Sequence, residues 1–251
     1  MNKPTRAASL NFYTTPPHAC SYLPERQAVT LFADPGIPKN EVVYGLLSAH
    51  GFRRSGEHLY RPHCQGCRAC VPVRVPVAEF RPNRHQRRAL KANGDLSVRV
   101  VPARYSDEHF ALYRHYLSGR HSGGGMDNPT PQQYLEFLTA SWSTTLFHEM
   151  RLEDRLVAVA VVDVMADAYS AVYTYYDPDY PARSLGKFAV LHEILAARAA
   201  GMKWLYMGYW IRDCRKMSYK VAYQPMEYFW SGRWTREPPL PAARAAEALA
   251  G

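Results

Sequence analysis

Long hydrophobic runs are missing from this 251-residue sequence: none approaches the ~18–20 apolar residues that a membrane-spanning helix needs. The stretch from Met1 to Thr15 lacks the basic start and apolar centre of a secretory signal. The expected compartment is therefore the cytosol, with no membrane partner. Acidic residues are in deficit, 22 Asp and Glu against 31 Lys and Arg, for a formal net charge of +9. Such an excess points to a polyanionic partner, nucleic acid before an anionic membrane surface, although solubility alone could account for it. Cysteine is scarce: five in all, four of them within the first hundred residues. No internal repeat is present. What is abundant argues for a folded chain, since 47% of residues are apolar and 13% aromatic. The length allows one large domain or two smaller ones.

Two halves differ in composition. Residues 1–100 form a Cys-containing, basic, proline-rich N-terminal region with one clear helix, from about Glu41 to His50. Asn40 is its N-cap, Val43, Leu46 and Leu47 its apolar stripe, and Gly51 its stop. Val71 to Val77 alternates apolar and other residues, and its two prolines predict an edge strand or an extended connector. Residues 101–236 are more regular. A helix starts at Asp107, and Thr130-Pro131-Gln132-Gln133 is a capping box opening a second helix to about Ser141. Strands are expected near 145–152, 155–164 and 169–176, the last two a hairpin about Asp167. A helix from about Ser184 to Ala200 leads through Gly201 into an aromatic strand at 204–210. The predicted class is α/β (α+β), a mixed sheet with helices, followed by a peripheral tail over 237–251.

Four segments could carry chemistry. Trp204 to Ile211 reads as a strand that breaks into a polar loop with Arg215, Lys216, Tyr219 and Lys220, a way of presenting cations and a phenol from a rigid base. Cys64-Gln65-Gly66-Cys67-Arg68-Ala69-Cys70 is a C-x2-C-x2-C run. Three thiols at this spacing can face one metal; zinc would need a fourth ligand from Cys20, His63 or His18. The run also matches part of an iron–sulfur motif whose fourth cysteine is missing. Buried reduced thiols would explain it equally simply. In Arg81 to Lys91, a helix after Pro82 would align Arg84, Arg87, Arg88 and Lys91 on one face with no acid beside them. That stripe suits a phosphate backbone, against the plainer reading of a solvated helix face. Finally, Tyr175, Tyr176 and Asp177 end a strand, and Ser184 could cap the next helix to make an anion site.

Taken in order, Cys20-Ser21-Tyr22-Leu23-Pro24, Gly51 to Gly56, Tyr60 to Arg74, Phe80 to Arg88, Tyr175 to Tyr180, Leu185-Gly186, Gly208 to Ile211 and Cys214 to Lys220 resemble the bacterial leucyl-tRNA–protein transferases, relatives of the arginyl-tRNA–protein transferases. The match runs from about residue 10 to 235. The resemblance implies a fold related to the GCN5-type N-acetyltransferases, with the catalytic core in 101–236. It implies transfer of leucine from leucyl-tRNA to proteins beginning with Asp or Glu, which marks them for degradation. Coenzyme A is not expected, because the turn at Arg183-Ser184-Leu185-Gly186 lacks the second small residue of a pyrophosphate loop.

Under that resemblance the aminoacyl ester is already activated, so no enzyme nucleophile and no cofactor are required. The acceptor amine must lose a proton, and proximity with oxyanion stabilisation must supply the rest. An acidic acceptor side chain calls for a cation, preferably arginine, and a leucyl group for an apolar pocket. The expected roles follow. Arg84, Arg87, Arg88 and Lys91 bind the tRNA acceptor arm or the substrate carboxylate. Tyr175, Tyr176 and Asp177 line the reacting centre, with Asp177 orienting the amine. Lys216, Tyr219 and Lys220 stabilise the oxyanion or the terminal ribose and phosphate. Cys20, Cys64, Cys67 and Cys70 could hold a structural zinc or iron–sulfur centre. Two alternatives stay open: an arginyl donor on the same fold, and a non-catalytic RNA-binding protein.

Overall fold

The computed structural model describes residues 10–120 and 128–239; of the expected tail, 240–251 lie outside the described residues. Along the N-terminal third run strands Phe12–Thr14 (β1), His18–Ala19 (β2), Gln27–Ala28 (β3) and Thr30–Ala33 (β4), helix Glu41–Ala49 (α1), and strands Arg53–Ser55 (β5) and His58–Pro62 (β6). Asn40 caps α1 by accepting from the Val43 amide, and Gly51 turns the chain away at φ +84°. A Cβ at Gly51 would meet Pro72 at 2.9 Å, so both conformation and space demand glycine there. β1, β4, β6 and β5 form a small antiparallel sheet, and β2 pairs only with β3.

Next come Val71–Pro76 (β7), helix Arg84–Ala92 (α2), Leu96–Pro102 (β8), helices Asp107–Arg120 (α3) and Pro131–Leu138 (α4), and strands Thr144–Leu152 (β9), Arg155–Val164 (β10) and Ala168–Tyr176 (β11). Helix Leu185–Ala199 (α5), strand Trp204–Trp210 (β12), a short helical turn Arg215–Ser218 (α6), and strands Glu227–Trp230 (β13) and Arg233–Thr235 (β14) complete the chain. The predicted capping box forms at α4, and a second, which the sequence reading did not anticipate, opens α2. Asn83 and Gln86 bond reciprocally, as do Thr130 and Gln133. α4 ends at Leu138, one turn earlier than the composition suggested.

The main sheet has eight strands in the order β14-β13-β7-β12-β11-β10-β9-β8. All its neighbours are antiparallel except β11 and β12, which α5 connects as a crossover. This is the mixed sheet with helices expected from the sequence. β10 is buried on both faces: Val159 and Val161 meet α3 and α4, while Ala158 and Ala160 meet α5. β7 corrects the sequence reading. It lies inside the sheet between β13 and β12, neither an edge nor a connector. The prolines are tolerated because β13 pairs only with Val73 and Arg74, Pro72 faces the irregular stretch of β12, and Pro76 ends the strand. β7 and β8 both belong to the main sheet, so the compositional boundary near residue 100 is not a boundary in the sheet.

The small sheet is tied to the large one by a buried ion pair. Arg54 on β5 reaches Asp163 on β10 through Nε at 2.5 Å and Nη2 at 2.8 Å, with both side chains wholly inaccessible. Tyr44 donates to Asp163 at 2.9 Å and Thr145 at 2.7 Å, so the carboxylate's lone pairs are spent. Asp163→Ala would strand the guanidinium in the interior, and a loss of about 3–5 kcal/mol of stability is expected. Urea unfolding measures it; an unchanged midpoint at equal slope would show that the pair does not hold the sheets together.

Candidate active site

The parallel pair β11 and β12 is in register over only three positions, ending at Ser170 opposite Tyr206, and the strands then part. Separation leaves carbonyls without a ladder partner. Arg53, one residue before the buried Arg54, supplies donors to them: Nη1 to Tyr206 O (3.4 Å) and Ser170 Oγ (3.0 Å), Nη2 to Ala171 O. Among the described residues no carboxylate lies within ion-pair distance of this guanidinium. β12 accommodates it with an irregularity between Tyr206 and Tyr209, where Gly208 takes φ +79°. A Cβ on Gly208 would sit 3.4 Å from Arg53 Nε, tight against the cation.

The segment after β12 is not the polar loop that its composition suggested. Residues 214–222 wind through α6 and a following 3-10 turn, Tyr219–Ala222, which carries Lys220 inward. Lys220 is 6% exposed, and its Nζ donates to Tyr209 O at 2.7 Å and approaches Met217 Sδ at 3.4 Å. Burial pulls this ammonium down to about 7, and the Arg53 charge adds to the effect. Tyr219 stands beside it with its ring half exposed, yet its hydroxyl is desolvated enough to be pushed up to about 12. Glu193, Tyr116, Arg53 and Tyr176 all act electrostatically on that hydroxyl.

Glu193 and Arg53 carry no expected role in the sequence reading, yet both belong to this centre. Glu193 sits on α5, wholly buried, on the apolar face that also presents Val190, Ile194 and Ala197. Neither carboxyl oxygen has a hydrogen-bond partner among the described residues. Burial pushes its acid up to about 8, with only partial relief from Arg53. A single acid on the apolar stripe of an amphipathic helix was the signal available in the sequence.

The predicted residues divide. Lys220, Tyr219 and Tyr176 come together. Tyr175 does not: it is fully buried, and its hydroxyl shares a 2.7 Å bond with Tyr134 among the rings of Tyr113 and Phe147. Strand alternation puts Tyr175 and Tyr176 on opposite faces, so only one can line the gap. Asp177 is committed to its turn. Oδ2 accepts from Arg155 at 2.7 Å, Oδ1 from the Asp179 amide at 3.0 Å, and His115 Nε2 lies 3.3 Å away. Ser184 precedes α5 in the left-handed region and makes no side-chain cap, so the expected anion site there lacks its hydroxyl. Arg84, Arg87, Arg88 and Lys91 are exposed on α2, as the spacing predicted, while Gln86 and Ala89 face inward. Gln86 Nε2 donates to Ala222 O at 3.0 Å, which fixes the basic helix to the turn that carries Lys220. Lys216 is exposed on α6.

Cys20, Cys64, Cys67 and Cys214 all act on Cys70, whose thiol burial pushes up to about 12. No three of these sulfurs lie within 4.8 Å of one another. Tetrahedral zinc at 2.3 Å bonds would need them about 3.8 Å apart, so zinc does not fit the thiols as they stand. A surface hollow lined by Ser55, Glu57, His58, Gln132 and Glu136 contains none of the residues above.

The gap thus gathers a half-buried arginine, a buried lysine, tyrosine hydroxyls and one unpartnered acid at the end of a sheet. Such a set can stabilise developing negative charge and handle a proton. By class the protein is an aminoacyl-tRNA–protein transferase, an enzyme. Models of the arginine-tRNA-protein transferase N terminus and C terminus match residues 18–88 and 108–230, and the chain belongs to that family. It is 51% identical over 230 residues to the aspartate/glutamate leucyltransferase of Pseudomonas fluorescens, covering 92% of this chain and 98% of that one. The aspartate/glutamate leucyltransferase of Pseudomonas putida is 52% identical over the same shares. Among solved structures, L-PGS from Bacillus licheniformis aligns at a TM-score of 0.46 and 12% identity, over 82% of this chain and 68% of that one.

A depressed lysine has a defined effect on stability. Between pH ~7 and ~10.5 the unfolded chain binds the Lys220 proton and the folded chain does not, so stability rises with pH at up to about 1.4 kcal/mol per pH unit. Lys220→Met lacks that gain. Its stability relative to wild type should therefore fall steadily from pH 7 to pH 10 in urea titrations, and a constant difference would mean that the ammonium is not desolvated.

Proposed function

We propose that this enzyme transfers leucine from leucyl-tRNA to the N-terminal α-amine of proteins beginning with Asp or Glu, giving them a destabilising N-terminus for degradation. Identity above 50% across nine-tenths of the chain with proteins named aspartate/glutamate leucyltransferase carries the reading. The site is compatible with it. Arg53, a half-buried cation with no acid partner and Nε unspent, suits an acceptor's side-chain carboxylate. Lys220 and the Tyr219 hydroxyl are donors for the charge that develops on the ester carbonyl. The amine attacks an ester already activated by its tRNA, so the protein's task is to bind, orient and manage protons.

Arg84, Arg87, Arg88 and Lys91 then serve the tRNA backbone. Replacing all four by Ala should raise KM for the aminoacyl-tRNA at least tenfold with little change in kcat. The salt dependence of binding should flatten by about 0.7–0.9 log units per log unit of salt for each lost phosphate contact. An unaltered salt slope would remove these residues from the tRNA interface.

A second reading is favoured by the family models, which carry an arginyl name: the donor is arginyl-tRNA. Peptides starting with Asp, Glu or Ala, offered leucyl-tRNA and arginyl-tRNA separately, decide between the two. Leucine on the Asp and Glu peptides alone is expected. Arginine on the same peptides would overturn the donor, and no transfer from either would return the chain to plain RNA binding.

A further inference from the structure

A buried carboxyl group without a hydrogen-bond partner is costly, and an apolar residue of similar size would remove the cost. Glu193 is such a group. It lies at 0% exposure among Val190, Ile194 and Ala197, with both oxygens unpartnered. Its position is not arbitrary, because Val190, Ile194 and Ala197 beside it on α5 pack against Leu205 and Met207 of β12 and Tyr223, next to the turn that carries Lys220. Arg53, Tyr219 and Tyr223 are coupled to it electrostatically. His192, its neighbour on the helix, turns instead to His148 at 3.0 Å. Among the described residues no polar group is hydrogen-bonded to the unspent acid.

We infer that Glu193 is the proton acceptor for the α-amine of the incoming acceptor protein, an inference that rests on the transferase reading above. Lys220 is engaged as a donor, giving hydrogens to the Tyr209 carbonyl and the Met217 sulfur. Asp177 is held by Arg155 and the Asp179 amide. The acceptor enters beside Tyr219, whose ring is half exposed, and brings its α-ammonium to the Glu193 carboxylate. One proton passes from nitrogen to Glu193. The freed lone pair attacks the ester carbonyl carbon, and its oxyanion faces Lys220 and the Tyr219 hydroxyl. The C–O bond to the ribose then breaks, the leaving oxygen takes the second nitrogen proton, and the amide is complete. Glu193 returns its proton to solvent. An acid already raised to about 8 is matched to an α-amine of pKa near 8, so the transfer is close to thermoneutral.

Glu193→Gln keeps the shape and removes the base. Its kcat/KM for an Asp-peptide should fall roughly 100-fold or more, with thermal stability equal to or above that of wild type. The decisive comparison uses an acceptor peptide whose N-terminal amine is replaced by an aminooxy group, which is unprotonated at neutral pH and needs no base. Glu193→Gln should transfer to that acceptor within about threefold of wild type, and its pH profile on the ordinary peptide should follow the peptide amine alone. Wild-type rates on the Asp-peptide, or an equal loss on both acceptors, would overturn the proposal. If wild type itself transfers nothing, the transferase reading has failed and not this inference, because the comparison is scored only against a working wild-type enzyme.

Discussion

The buried pair Arg54–Asp163 fixes where everything else can be. Two charges removed from water are tolerable only when their geometry and remaining hydrogen bonds are fully satisfied, and here Tyr44, Thr145 and the Leu138 carbonyl complete the set. The consequence for function comes from strand alternation. Arg54 and Arg53 are consecutive on β5 and must point to opposite sides. Locking the first against β10 aims the second at the place where β11 and β12 part. Ser170 makes the coupling direct, since its hydroxyl accepts from Arg53, the base of the gap, and bonds the oxygen of Tyr44, whose own proton goes to Asp163 in the buried network. An exposed cation can be put almost anywhere on a surface. A half-buried one needs this kind of support, because nothing anionic nearby repays its desolvation.

Much of the fold was legible because its signals are local. Asn40 and Thr130 announce helix starts through side-chain oxygens that the backbone needs. The hairpin β10–β11 and the crossover through α5 follow from strand and helix lengths that differ by period. β7 was misread for a physical reason: proline excludes a strand from a sheet interior only where its missing N–H is needed, and the short pairing with β13 removes that need on one side. Such an exemption depends on the partner strand and cannot be seen in β7 itself.

The site was legible in proportion to how far its residues are exposed. The basic stripe on α2 is a surface property, and spacing alone placed it. Lys220 and Tyr219 were singled out by type and position, although their turn is helical and one of them is buried. Tyr175 and Asp177 were misplaced because adjacency in sequence at a strand end says nothing about which face each residue takes. Arg53 and Glu193 were passed over because an arginine in a short strand and an acid in an apolar helix look ordinary one at a time. Their meaning lies in what each lacks, a partner, and that is a three-dimensional fact.

The opposite shifts of Lys220 and Glu193 share one cause, which explains why the gap holds both. Desolvation disfavours whichever form is charged, lowering the lysine and raising the acid until both sit near neutrality. At that point the site carries little fixed charge of its own beyond Arg53. Under the proposed function, a substrate that arrives as a zwitterion, with an ammonium and a carboxylate a few bonds apart, would bring the missing charges with it. The carboxylate would compensate Arg53, and the ammonium would give Glu193 the cation that favours its ionised form. Binding would then create the base that the proposed reaction needs, and an acceptor lacking the acidic side chain would leave Arg53 uncompensated. On this proposal, discrimination between acidic and neutral N-termini would follow from the desolvation of one guanidinium, whose position is set by its neighbour in the chain.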